Sequence, residues 1–75
     1  FLRRWPFEEV GGVVLVSWKG GPPQHLGVVA DHPHGGLSII HADNLRQKQV
    51  IETRLEFGSY MRKVQAYRLP GVVYA

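Results

Sequence analysis

Seventy-five residues with 44% hydrophobic content make one small unit, because a chain of this size buries only about 60% of its unfolded surface. There is no cysteine, which excludes a disulfide, a thiolate metal site or a cysteine nucleophile within these residues and leaves the redox compartment unreadable. Nine Lys and Arg against six Asp and Glu give a net charge of +3, spread from Arg3 and Arg4 to Arg68, so a solvated mixed surface is expected rather than a nucleic-acid footprint.

The longest apolar run, Val13 to Val16, is far below the roughly 20 residues that cross a bilayer as a helix, so no membrane segment is expected. The chain opens on Phe1 rather than Met, and is expected to be a processed or partial product with no cleavable signal. Residues 1–10 mix aromatics, two arginines and Pro6 without periodicity and read as an irregular lead-in. Val13 to Trp18 is β-branched and aromatic, and the break at Gly20, Gly21, Pro22 and Pro23 ends it as a buried strand.

His25 to Asp31 alternates next, with His25, Gly27 and Val29 on one side and Leu26, Val28 and Ala30 on the other. His32, Pro33, His34, Gly35 and Gly36 have turn composition, and Leu37 to Ala42 completes a hairpin. After a polar connection over Asp43 to Lys48, Gln49 to Leu55 sets Ile51, Thr53 and Leu55 against Val50, Glu52 and Arg54. Glu56 to Lys63 predicts a short helical turn, and Val64 to Leu69 alternates again before Pro70 and Gly71. The expectation is therefore α+β, mostly β: one incomplete domain over 1–75, an antiparallel meander of about five strands with one helical turn. Both faces of such a sheet are apolar, so one needs a cover that this chain does not obviously supply.

One register argument bears on chemistry. A hairpin symmetric about Pro33 pairs Val29 with Leu37, Leu26 with Ile40 and His25 with His41, so both imidazoles share a face. A slip of one residue would send them to opposite sides. Spacing alone also fits two half-exposed strand-end histidines satisfied by water or backbone. A metal site from His25, His32, His34 and His41 with Asp31 and Asp43 is the other alternative, but His32 and His34 flank a proline in a turn and no ligand spacing fixes them; no metal and no cofactor are expected.

Taken in order, GGVVLVSW, QHLGVVAD, IIHA, VIETRL and YMRKVQAYRLPG resemble the C-terminal half of NlpC-type cell-wall cysteine peptidases, the phage-tail members above all. Those proteins carry a Gly-Asp-Val-Leu-Leu-Phe strand, a strand opening on the catalytic histidine, a strand ending in His-Ala, and a basic-aromatic segment before Phe-Arg-Phe-Pro-Gly. The likeness covers residues 11–71. It implies the sheet half of a papain-like fold, with His25 as general base, His41 as the third, orienting residue, and Gln24 beside the base as a cleft-lining candidate. It also implies a peptidoglycan stem peptide as substrate, tail-tip or hub proteins as partners, and a virion or tail-like particle as location.

The departures are specific. The family's nucleophile sits at the start of a helix in the N-terminal half, in an Asp-Cys-Ser-Gly-like motif, and neither motif nor cysteine occurs here. The resemblance therefore implies a cysteine-bearing half in the same or another chain, and no hydrolysis by these residues alone. Gly12 stands where the family usually has aspartate. Two further readings are open: a noncatalytic interaction module of a tail tip, and a small polyanion-binding β-barrel using the basic residues with Trp5, Trp18, Tyr60 and Tyr67. Arg62 and Lys63 read as a solvated or wall-facing basic patch.

Overall fold

Alternating β-branched residues bounded by glycine and proline pair into strands. The computed structural model describes residues 2–19, 21, 25–43 and 49–74. The strands are β1 (Arg3–Trp5), β2 (Val13–Trp18), β3 (His25–Asp31), β4 (Leu37–Asp43), β5 (Gln49–Arg54) and β6 (Met61–Arg68). All lie in one antiparallel sheet of order β1-β6-β2-β3-β4-β5. Strands β2 to β5 are the expected meander. The chain then crosses back, so that β6 pairs with β2 on its far side, and β1, from the segment expected to be irregular, pairs with β6 at the edge.

The crossing corrects the expected helical turn over Glu56 to Lys63. Among the described residues there is no helix: residues 55–60 are irregular and residues 61–63 begin β6. Four strand spacings separate β5 from β6 in the sheet order, about 19 Å if laid flat at about 4.8 Å each. The six residues between them reach about 20 Å extended but only about 9 Å as a helix. At the ends of the crossing, Leu55 N–H donates to Leu37 O (2.9 Å) and Gly58 N–H to Met61 O (2.8 Å).

Leu55 and Met61, at either end of that crossing, both pack into the core. Its buried members are Val14, Val16, Val29, Ile39 and Met61, with Trp18, Leu37 and Leu55 against them. Register explains why these residues share a face: Val14 is opposite Gly27, Val16 opposite His25, Trp18 opposite Met61 and Val29 opposite Ile39, and directly opposed residues project to the same side. Gly27 is required there, because a Cβ would lie 2.6 Å from Ile40 O and closer still to the Ile39 side chain. The other face carries Leu26, Val28, Ile40 and Val50, all exposed, while Val13 on β2 is buried, so the β3–β5 part of the second apolar face is left open by the described residues.

The β3–β4 hairpin differs from the expected register by two residues. Val28 pairs with Ile40, Val29 with Ile39, Ala30 with Ser38 and Asp31 with Leu37. Gly35 N–H donates to His32 O (3.0 Å) and His32 N–H to Gly36 O (3.0 Å), while Gly35 has a φ of 95°. That is a β-turn with Pro33 at its second position followed by a left-handed glycine, the usual three-residue hairpin loop. Proline's fixed φ suits the second position rather than the centre of symmetry, which moves to His34. A shift of two preserves parity, so side chains stay on the expected faces although the named pairs change.

Candidate functional site

Parity brings His25 and His41 together. Continued along the strands, the observed register sets Gly27 opposite His41, with His25 one diagonal away on the same face. Their ring centroids are 5.8 Å apart with planes at 79°, an edge-on meeting. Trp18, two residues beyond the His25 partner Val16, packs against both, at 5.1 Å from His25 and 6.0 Å from His41. Tyr60, from the β5–β6 crossing, lies 5.5 Å from Trp18, and Lys19 N–H donates to its carbonyl (2.6 Å). Three strands and the crossing thus assemble a cluster of two imidazoles, an indole and a phenol at one end of the inner face.

His41 is buried, at 8% exposure, and His25 is half-buried. His41 Nε2 lies 3.0 Å from Thr53 Oγ1. Its Nδ1 is buried with no hydrogen-bond partner among the described residues. Imidazole can take and return a proton near neutral pH, and a ring held on one nitrogen presents a defined tautomer on the other. The arrangement suits proton transfer but contains no thiol, the chain having no cysteine.

The remaining predicted positions fall elsewhere. Gln24 lies outside the described residues. His32 and His34 stack on each other at 5.7 Å in the hairpin loop, where His34 N–H donates to His32 Nδ1 (3.1 Å), at the opposite end of β3 and β4 from the pair. Among the described residues no three His, Asp or Glu side chains group closely enough to hold a metal ion. Arg62 and Lys63 do not form one patch: consecutive strand residues face opposite sides, and Lys63 reaches the lead-in, pairing with Glu8 (2.9 Å) and donating to Pro6 O (3.2 Å). Gly12 has no room for the aspartate of the family pattern, since a Cβ there would lie 2.8 Å from Tyr67 O.

A second polar assembly lies at the other end of β6. Arg68 donates from Nε and Nη2 to the two Glu9 carboxylate oxygens (2.8 and 2.9 Å), with its guanidinium 3.8 Å from the Trp5 ring centroid and 4.6 Å from that of Tyr74. The hydrogen bonds from Arg68 hold the Glu9 carboxyl below the usual carboxylate range, and the same bonds raise the guanidinium. Tyr74 OH accepts from Leu69 N–H (3.0 Å) and donates to Gly11 O (3.1 Å). An open cavity of about 360 Å³ lies beside it, lined by Arg3, Arg68 and residues 69–72 with Tyr74. It is remote from the histidines, and the Arg68 and Tyr74 in its lining are engaged with Glu9, Gly11 and Leu69.

Sequence reasoning missed Thr53. Its signal was a polar residue among Ile51 and Leu55 on an otherwise apolar face, but what it meets depends on the β4–β5 register, in which Thr53 is opposite Ile39 and diagonal to His41. No protein-family model matches the chain, and no curated protein and no solved structure matches it. Among the described residues no helix is long and apolar enough to cross a membrane.

Proposed function

We propose that these residues are the histidine-bearing half of a cysteine-type peptidoglycan peptidase carried at the tip of a phage tail or tail-like particle, completed by a cysteine-bearing half. The single observation that supports this reading most is the edge-on meeting of His25 and His41 on one sheet face, at the two positions that the resemblance marks as base and orienting residue.

In this reading His25 takes the proton of the cysteine thiol, and the thiolate attacks the carbonyl carbon of a stem-peptide bond. As the C–N bond breaks, the imidazolium returns that proton to the leaving amine. Water, deprotonated by the same ring, then cleaves the thioester and regenerates the thiol. His41 keeps the His25 ring in orientation, as a third group does in such triads. The stem peptide, the tail-tip partners and the particle location belong to the same proposal.

The test is His25→Ala in the protein joined to its cysteine-bearing half, assayed on purified peptidoglycan. Hydrolysis is expected to fall by about 10²- to 10⁴-fold, the usual contribution of a positioned base, with the fold retained. Unchanged hydrolysis rejects His25 as base; no hydrolysis by the unmodified complete protein favours the noncatalytic module.

A further inference from the structure

The hydrogen bonding around His41 specifies its tautomer. A neutral imidazole carries one proton, on Nδ1 or on Nε2. Were it on Nδ1, a buried N–H would have no acceptor among the described residues, since that atom is buried and unpartnered; orphaned buried N–H donors are the rarer kind. With the proton on Nε2, the N–H donates to Thr53 Oγ1 at 3.0 Å, and Nδ1 presents a lone pair inside the aromatic cluster.

Two rings pack on His41, those of Trp18 and His25. His25 approaches edge-on, its ring centroid 5.8 Å away and its plane at 79°. We infer that Thr53 is a positioning residue: by accepting the Nε2–H it fixes His41 in the tautomer with Nδ1 unprotonated and holds that ring edge-on against His25. That this contact orients His25 for proton abstraction rests on the peptidase reading; the His41 tautomer does not. Thr53 sits opposite Ile39 on β5, so the strand pairing that buries Ile39 also sets this hydroxyl under the histidine.

The measurement is the ring ¹⁵N chemical shifts of histidine-labelled protein, with His41→Gln identifying the His41 signals. The unmodified protein and Thr53→Ser are expected to show a protonated Nε2 and an unprotonated Nδ1. Thr53→Val, isosteric and suited to a strand, is expected to move both shifts toward the average of two tautomers. A protonated Nδ1 in the unmodified protein, an unchanged spectrum in Thr53→Val, or a Ser variant behaving like Val overturns the inference; the unmodified and Ser spectra decide it even if the Val variant does not fold. If the shifts are as expected and His25→Ala leaves hydrolysis intact, the peptidase reading falls and the tautomer assignment stands. The reverse pair of results removes Thr53 and keeps the peptidase.

Discussion

Arg68 donates twice to Glu9 and lies between the rings of Trp5 and Tyr74, whereas His41, more deeply buried, has one nitrogen on Thr53 and the other without a hydrogen bond among the described residues. The two sites mark the two ends of the sheet. At the Arg68 end, polar side chains meet partners from distant parts of the chain, Glu9 and Gly11 with Arg68 and Tyr74, so bonding capacity there is consumed in closing the fold. At the histidine end, capacity is left over inside an aromatic cluster. A buried polar atom without a partner costs about 1–3 kcal/mol, and that atom of His41 stands beside a second imidazole, whereas both carboxylate oxygens of Glu9 are paired.

The contrast can be broken most forcefully at Gly27, which stands between the histidine cluster and the core. Gly27→Ala would set a methyl 2.6 Å from Ile40 O, a backbone atom that cannot turn aside. A loss of about 1–3 kcal/mol is expected from such overpacking, read as a lower urea midpoint, together with broadened His41 ring signals. An unchanged midpoint would mean that β3 and β4 part without cost and that the histidine geometry is not rigidly held.

Tyr74→Phe probes the other end. Removing the hydroxyl leaves Leu69 N–H and Gly11 O to water and should cost about 1 kcal/mol, the net value of an ordinary hydrogen bond. The His41 tautomer is expected to be untouched. If the ring shifts moved as well, the ends would be coupled and the division between them would fail.

Glu9→Gln is the mildest change and sharpens the comparison through pH. The Glu9 carboxyl is held below its usual range by Arg68, so its contribution is complete above the ordinary carboxylate value and is lost as pH falls through the lower, folded-state value. Stability of the unmodified protein should therefore drop toward the Gln variant on acidification, and the gap should narrow in high salt because the pair is solvent-accessible. A gap independent of pH would show that packing of the guanidinium between Trp5 and Tyr74, not its charge pairing, is what matters.

Much of the candidate site was legible because side-chain direction in a strand depends only on counting by twos. His25 and His41 were expected on one face, and they share it, although the pairing is displaced by two positions: Pro33 occupies the second place of the turn and Gly35 adopts positive φ. Thr53 was not legible as a partner of His41, since that contact needs the β4–β5 register across a connection whose length allows several. The helical turn over Glu56 to Lys63 was misread for a related reason: local composition admits a turn of helix, but the distance from β5 to β6 requires extended chain.

Alternation of apolar residues, the glycine and proline breaks between them, and the absence of any thiol were determined by the amino-acid order alone, because each is a property of neighbours along the chain. The return of β6 to the side of β2, the tie between Glu9 and Arg68, and the approach of Thr53 to His41 were decided only by the tertiary structure. Each joins residues far apart along the chain, and the choice among such pairings rests on which arrangement buries Val14, Val16, Val29, Ile39 and Met61 together, a collective free energy that no local stretch contains.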